Sequence, residues 1–203
     1  MKVRDIVAIK HFDEYYSRQS SRNLYVCSAN RNGQLLRFRV ISEVGDLSNK
    51  SILDVGCGLG EFYYFCRNNG TIFKKYFGID LNPKVVKQAS EYFPELNILH
   101  MDVMENNFNS NKFDYVIASL LFCFETENWD ERMQSLIKEM FRISKIGVAM
   151  NFLRWRKEGR NSQSHYVKYD NIIKIIECHT NSYTIRANYK KNDFTVYMYK
   201  GKL

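Results

Sequence analysis

A glycine-rich turn directly after a short apolar segment is the feature that most constrains the fold of this chain. Residues 52–62 read ILDVGCGLGEF, so Gly56, Gly58 and Gly60 stand at alternate positions between a predicted strand and a predicted helix. Glycine lets the backbone approach a ligand that any Cβ would block, and the free N–H groups of the following helix point toward that ligand. The segment therefore predicts a ligand cradle where a strand meets a helix.

Two phosphate-binding motifs of this general kind do not fit the segment. The dinucleotide fingerprint needs its third glycine one place later, and Glu61 would put a carboxylate beside a pyrophosphate. The lysine and hydroxyl pair of a P-loop is also missing from the turn. We therefore expect the cradle to hold a part of a ligand that carries no phosphate.

The pattern along the chain alternates between strands and helices. Apolar runs predict five buried strands, and helical periodicity between them predicts three helices; the strands are 51–55, 76–80, 97–101, 113–119 and 147–152, and the helices are 60–69, 83–92 and 129–143. Such an alternation is typical of a parallel sheet covered on both faces. Residues 183–189 and 194–199, joined by a polar turn, predict a final antiparallel hairpin.

The composition indicates one folded domain over residues 1–203. The chain is 45% hydrophobic and has 10 glycines and 2 prolines, which lies far from disordered or fibrous classes. It shows neither an apolar run of membrane-spanning length nor a signal-peptide core, so we expect a soluble, cytoplasmic protein. Five cysteines without C-x-x-C spacing predict reduced, mostly buried thiols and no cysteine metal site.

Two aspartates at strand ends predict what the cradle binds. Asp80 ends the second strand 20 residues after Gly60, the spacing at which an acidic residue meets ribose hydroxyls in doubly wound folds. Asp102 follows the third strand, where it can accept a hydrogen bond from an exocyclic adenine amine. The turn and these two acceptors together describe a pocket for adenosine.

These segments resemble the motifs of the class I S-adenosylmethionine-dependent methyltransferases. The matching segments are 53–60 (LDVGCGLG), 78–83 (GIDLNP), Asp102 and 113–119 (FDYVIAS). The resemblance covers residues 45–150 and implies an α/β fold with a seven-stranded, mostly parallel sheet, helices on both faces and the strand order 3-2-1-4-5-7-6. It also implies S-adenosyl-L-methionine as the cofactor and a methyltransferase enzyme as the function.

The same resemblance assigns roles to residues. It implies that Asp54 and the glycines hold the methionine part and that Asp80 meets the ribose. It also implies that Asp102 with Val103 meets the adenine and that Ser119 with Leu120 lines the methyl-transfer site. In relatives a lid precedes the core, so we expect residues 1–45 to form a helical lid from which Tyr16 or Arg37 meets the cofactor carboxylate. The complete set of expected cofactor-binding residues is Asp54, Gly56, Cys57, Gly58, Gly60, Asp80, Leu81, Asp102, Val103, Ser119, Tyr16 and Arg37.

The methyl acceptor is less constrained than the cofactor. Residues 119–124 (SLLFCF) contain neither the two prolines of adenine and glutamine amino-methyltransferases nor the Pro-Cys of cytosine C5 enzymes, so both classes are excluded. Residues 151–160 place four basic side chains and Trp155 after the fifth strand, where ligands of open α/β sheets bind, and this favours an anionic acceptor. His165 in the same region is a candidate catalytic base or substrate anchor, and a purely structural histidine is the alternative.

Three functions remain open at this point. The net charge is +8, with 9 basic against 5 acidic residues in 1–50 and 11 against 4 in 151–203. We favour methylation of a small, anionic or sugar-containing metabolite, because the chain has no appended RNA-recognition domain. The alternatives are an RNA methyltransferase that uses both basic ends as a phosphate-binding face, and a non-catalytic cofactor-binding subunit.

Overall fold

The computed structural model describes residues 31–123, 128–157 and 164–201. The described part of the chain forms one sheet with helices on both faces. The helices are α1 (Arg31–Ser42), α2 (Glu61–Asn68), α3 (Pro83–Tyr92), a short 3-10 helix (Val103–Glu105), α4 (Trp129–Ile143) and α5 (Tyr169–Glu177). The strands are β1 (Ser51–Val55), β2 (Lys75–Asp80), β3 (Asn97–His100), β4 (Phe113–Ala118), β5 (Ser144–Leu153), β6 (Tyr183–Arg186) and β7 (Asp193–Tyr199).

The sheet has seven strands in the order β3-β2-β1-β4-β5-β7-β6, as the sequence predicts. The pairs from β3 to β5 are parallel, and β7 pairs antiparallel with both β5 and β6. The carboxyl ends of β1 to β5 therefore meet at one edge, and β7 begins at that same edge opposite the end of β5. This edge collects the turns that carry the candidate site.

Two hydrophobic cores lie on the two faces of the sheet. On one face α4 and α5 pack on β4, β5 and β7 through residues such as Phe122, Met140 and Phe152. On the other face α1, α2 and α3 pack on the sheet through residues such as Ile41 and Phe62. The strands are nearly continuously buried because both faces are covered, which is why they appear in the sequence as apolar runs.

Local sequence explains where the helices begin. The side chain of Asn82 caps α3 by accepting from the amides of Lys84 and Val85, and Pro83 occupies the first turn. Helix α5 was not predicted from the sequence, although Tyr169, Ile172 and Ile176 share one face of it. The β-branched isoleucines of this segment are typical of a strand, and the helix forms because it packs against the sheet.

The predicted lid is partly within the described residues. Helix α1 is no loose cover, because Phe38, Val40 and Ile41 are buried in the core beneath it. Residues 1–30 lie outside the described residues, so the lid itself stays a prediction. The four described cysteines are free thiols, three of them buried and Cys178 exposed. Within the described ranges, no helix is long and apolar enough to cross a membrane.

Candidate functional site at the carboxyl edge of the sheet

The glycine turn leaves β1 in a conformation that glycine alone adopts readily. Gly56, Gly58 and Gly60 have φ angles of 71°, 56° and 79°. The amides of Gly56 and Cys57 both donate to the carbonyl of Ile79, at 2.8 Å and 3.1 Å, which fixes the turn against the end of β2. A Cβ on Gly60 would lie 2.6 Å from Leu96 Cδ1, so a larger residue would also require the Leu96 side chain to shift.

Asp80 ties the glycine turn to the start of α3. Its Oδ2 accepts from the Gly58 amide at 3.0 Å, and its Oδ1 accepts from the Asn82 amide at 2.9 Å. Burial raises the pKa of this carboxyl, and the backbone amides and His100 oppose that shift. Each oxygen retains a further lone pair, so the carboxylate can accept two more hydrogen bonds at the edge of the sheet.

Asp54 is a buried carboxyl with an unsatisfied oxygen. It is 2% exposed, and its Oδ2 accepts from the Tyr76 hydroxyl at 2.5 Å. Its Oδ1 is buried and has no hydrogen-bond partner within the described residues. Burial raises the pKa of Asp54 to about 7, with a smaller contribution from Asp80. A buried acceptor of this kind calls for a donor from a ligand, and a cationic donor would be favoured most.

Glu61 and Gln34 form a polar pair beside the glycine turn. The sequence motifs did not predict this pair as part of the binding site. Glu61 is the first residue of α2, and its Oε2 accepts from Gln34 Nε2 of α1 at 2.8 Å. Burial raises the pKa of Glu61 to about 7. The signal was present in the sequence, since an acidic residue at this position argued against a pyrophosphate.

Asp102 is held by two donors. Its Oδ1 accepts from the Met104 amide at 2.8 Å and caps the 3-10 helix, while its Oδ2 accepts from Arg132 Nη2 of α4 at 3.0 Å. Val103 next to it is buried. The structure therefore places the predicted base acceptor at the same edge as Asp80, one strand further along the sheet.

The turn after β4 is strained and supported from β5. Leu120 has a φ of 59°, a conformation that costs a non-glycine residue about 1–3 kcal/mol. Its amide donates to Asn151 Oδ1 at 2.6 Å, and Asn151 is 1% exposed. This contact orients Ser119 and Leu120 at the edge. The sequence signal for Asn151 is one polar residue in the otherwise apolar end of β5.

Arg37 is engaged within the chain. Its Nε donates to Asp193 Oδ2 at 2.5 Å, and the side chains of this ion pair are 6% and 1% exposed. Lys190 Nζ lies 3.3 Å from the same oxygen. The guanidinium thus joins α1 to the start of β7, and its expected contact with the cofactor carboxylate stays a prediction. Tyr16, the other candidate, lies outside the described residues.

His165 lies against the turn that follows β4. Its amide donates to the carbonyl of Cys123 at 3.0 Å, and its ring packs edge-on against Trp129. Its Nε2 is 3.3 Å from Asp130 Oδ1 in the first turn of α4, and the histidine is 8% exposed. His165 thus lies between the turn after β4 and the start of α4.

The basic segment after β5 forms an aromatic and cationic rim of four residues: Arg154, Trp155, Lys168 and Tyr169. The Arg154 guanidinium lies 4.7 Å from the centre of the Tyr169 ring, and Lys168 Nζ lies 5.0 Å from the centre of the Trp155 ring. Trp155 is 39% exposed. Arg160 of this segment lies outside the described residues. The rim stands at the edge of the sheet where β5 ends.

Comparisons with known proteins agree with this fold. Residues 53–150 match a family described as a methyltransferase domain. The chain is 30% identical over 111 residues to a Methanocaldococcus jannaschii protein named for N5-glutamine methylation of protein, covering 53% of this chain and 54% of that one. It is 24% identical over 115 residues to a malonyl-[acyl-carrier protein] O-methyltransferase of Hamiltonella defensa, covering 57% and 42%.

Among solved structures, the chain resembles the magnesium protoporphyrin IX methyltransferase of Synechocystis PCC 6803 with bound S-adenosylmethionine. The TM-score is 0.71 at 14% identity, and the match covers 99% of both chains. In contrast, the chain spans only about half the length of the first curated relatives it matches, 54% and 53%. Residues 53–150 therefore match a methyltransferase domain, and the fold of the chain is that of the class I S-adenosylmethionine-dependent methyltransferases.

The residues present fit the cofactor of that family. The glycine turn holds three residues at positive φ angles, and the unsatisfied Asp54 Oδ1 beside it matches an ammonium group. Asp80 retains lone pairs for hydroxyls, as a ribose requires. The phosphate-free chemistry expected from the turn therefore agrees with a cationic nucleoside.

Proposed function

We propose that this protein transfers a methyl group from S-adenosyl-L-methionine to a small, anionic or sugar-containing metabolite. The single observation that carries the cofactor part is the glycine turn held between Ile79 and Asp80, with the unsatisfied Asp54 carboxyl beside it. The expected cofactor-binding residues have the roles that the resemblance assigns, from Asp54 at the methionine end to Asp102 at the adenine.

The chain's own contribution to the reaction is binding and alignment. When bound, the cofactor supplies a reactive methyl group on a sulfonium. Asp80 and Asp102 fix the nucleoside, and the strained turn at Leu120, supported by Asn151, aims the backbone at the transfer site. Holding the acceptor in line at near-attack distance and excluding water account for most of the rate in this kind of reaction.

The acceptor pocket is proposed to be polar. Asn151 Nδ2 and Asp193 Oδ1 are buried atoms that have no hydrogen-bond partner within the described residues. The two residues lie at alternate positions of one sheet face, because Asn151 pairs with Thr195 and Leu153 pairs with Asp193. One unsatisfied donor and one unsatisfied acceptor suit the hydroxyl groups of a sugar-like or hydroxylated acceptor.

The cationic and aromatic rim supports an anionic group on the acceptor. Positive charge lies over aromatic rings at two places near the end of β5: Lys168 over Trp155 and Arg154 over Tyr169. The M. jannaschii relative suggests glutamine as an acceptor, but the segment from Ser119 onward lacks the proline pair that the amino-methyltransferases use there. We therefore propose a small anionic acceptor.

His165 is the proposed base for an oxygen acceptor. A hydroxyl of high pKa must lose its proton as the methyl arrives, whereas a neutral amine attacks unaided and loses its proton later. The imidazole would take that proton, and the backbone contact of His165 with Cys123 keeps the ring beside the turn that carries Ser119.

The decisive experiment measures release of the demethylated cofactor with paired acceptors. Hydroxylated carboxylates and sugar phosphates are compared with neutral analogues of the same size, and Arg154→Gln is compared with Lys87→Gln on the surface of α3. We expect turnover with an anionic member of the panel and a higher KM in Arg154→Gln alone. Turnover with only neutral acceptors contradicts the proposed substrate class.

The RNA alternative rests on the basic ends of the chain and is tested separately. Phosphate contacts make binding fall steeply with salt, so retention of RNA at low salt that is lost at moderate salt favours it. Absence of RNA retention removes it. The third possibility, a cofactor-binding subunit without activity of its own, predicts cofactor binding and no turnover with any acceptor.

A further inference from the structure

We propose that Arg132 is a positioning residue that aims Asp102 at the adenine ring and so determines selectivity for the 6-amino group. This inference rests on the proposed role of Asp102 as the base acceptor. It concerns a residue of α4 that lies outside all of the cofactor motifs, 30 positions along the chain from the carboxylate it contacts.

The contact geometry is that of a carboxylate anchored at two points. Asp102 Oδ1 accepts from the Met104 amide at 2.8 Å, and Oδ2 accepts from Arg132 Nη2 at 3.0 Å. The side chains of Arg132 and Asp102 are 17% and 9% exposed, so solvent competes little for this pair. Charge-assisted hydrogen bonds are shorter and stronger than neutral ones, and here two of them fix the plane of the carboxylate.

Two anchors leave a defined set of lone pairs for a ligand. An ionised carboxylate has about four lone-pair sites, of which the structure uses two. If the guanidinium is removed, only the hydrogen bond from the Met104 amide remains, and it does not fix rotation about the Cβ–Cγ bond of Asp102. The carboxylate then no longer points its lone pairs at the adenine amine. The strength of a hydrogen bond falls steeply as its angle departs from linear, so a rotated carboxylate binds the amine less well.

The position of Arg132 in α4 holds its guanidinium in a fixed place relative to Asp102. It stands in the first turn of the helix, where its amide donates to the Asn128 carbonyl. The same helix buries Met133, Leu136 and Ile137 in the core beneath it. The guanidinium is therefore presented by a rigid element, whereas Asp102 lies on a turn.

The test compares two ligands that differ only at the base. Calorimetry on the full chain measures the affinity for S-adenosyl-L-homocysteine and for S-inosyl-L-homocysteine, in which a carbonyl replaces the 6-amino group. We expect the native protein to prefer the adenosine compound by about 10- to 100-fold, the scale of one hydrogen bond to a charged group. Arg132→Met keeps the apolar stem and should reduce that preference about five-fold or more.

Companion variants separate aiming from folding. Arg132→Lys should restore most of the preference, because an ammonium can still donate to Oδ2. Arg132→Gln is tested beside Arg132→Met because both remove the guanidinium. The test can be carried out if either of the two variants folds. The matched control is Arg142→Gln on the same helix, where Arg142 pairs with Glu139 instead. We expect the control to leave the preference unchanged.

The outcomes distinguish this inference from the assignment beneath it. A folded Arg132 variant that binds both ligands more weakly by the same factor, with the preference intact, overturns the inference. Asp102→Asn should abolish or reverse the preference, because its amide can donate to the inosine carbonyl. If Asp102→Asn keeps the native preference, the base assignment fails, and the role of Arg132 fails with it.

Discussion

Replacing Asp80 by alanine is the sharpest test of the nucleoside-binding edge. The carboxylate accepts from the amides of Gly58 and Asn82 and is proposed to accept from the ribose hydroxyls as well. A hydrogen bond to a charged group contributes about 1.5–3 kcal/mol. Because the contacts to the two amides are already present without the cofactor, we expect the loss of cofactor affinity to come mainly from the ribose contacts.

The expected effect on cofactor affinity follows from that range. A loss of about 1.5–3 kcal/mol corresponds to a Kd for S-adenosylmethionine that is about 10- to 150-fold higher. Calorimetry at fixed pH and salt measures it. Asp80→Asn keeps one acceptor oxygen and the shape of the side chain, so its Kd should lie between those of the native protein and Asp80→Ala.

A matched control separates loss of the ribose contact from loss of a turn. Asp46 also accepts a backbone amide two residues on, from Ser48 at 2.9 Å, but it precedes β1 and lies far from the carboxyl edge. Asp46→Ala should leave cofactor affinity unchanged. If Asp80→Ala folds with native melting behaviour and binds the cofactor as tightly as the native protein, the ribose assignment is refuted.

Further predictions concern pH, turnover and stability. Burial raises the pKa of Asp54 and of Glu61 to about 7, so both ionise between pH 6 and pH 8. Because Asp54 is expected to face the ammonium group of the cofactor, calorimetry should show cofactor affinity rising over that interval. The same raised pKa values make the free protein less stable as pH increases through 7, which melting curves can follow. His165→Ala should lower turnover in the assay for the demethylated cofactor while calorimetric affinity for the cofactor stays native. Arg37→Met leaves the Asp193 carboxylate buried without its guanidinium partner and should cost about 3–5 kcal/mol in denaturant unfolding, with partial recovery when Asp193→Leu is added.

Each of these has an outcome that would contradict it. A cofactor affinity that does not change between pH 6 and pH 8 would mean that neither buried carboxyl faces the ammonium group of the cofactor. A native rate in His165→Ala would return this histidine to a structural role. An Arg37→Met variant of native stability would show that the ion pair contributes little beyond what solvent replaces.

Local patterns in the sequence were sufficient to predict individual strands and helices, whereas the strand order came from the family resemblance. The first strand was predicted at its observed bounds, Ser51–Val55, and the proline-capped helix at Pro83–Tyr92, because buried runs and capping signals depend on neighbouring residues alone. The glycine turn and Asp80 could be predicted for the same reason. The residues that form the turn and the proposed ribose acceptor lie within about 30 consecutive residues of the chain.

Only the tertiary structure decided which side chains from distant segments meet at the edge of the sheet. Arg37 contacts Asp193, 156 positions away, and Leu120 depends on Asn151 from another strand. Arg132 reaches Asp102 across the same edge. Such contacts depend on strand order and register, and the periodicity of a single segment carries no information about its partner across the sheet.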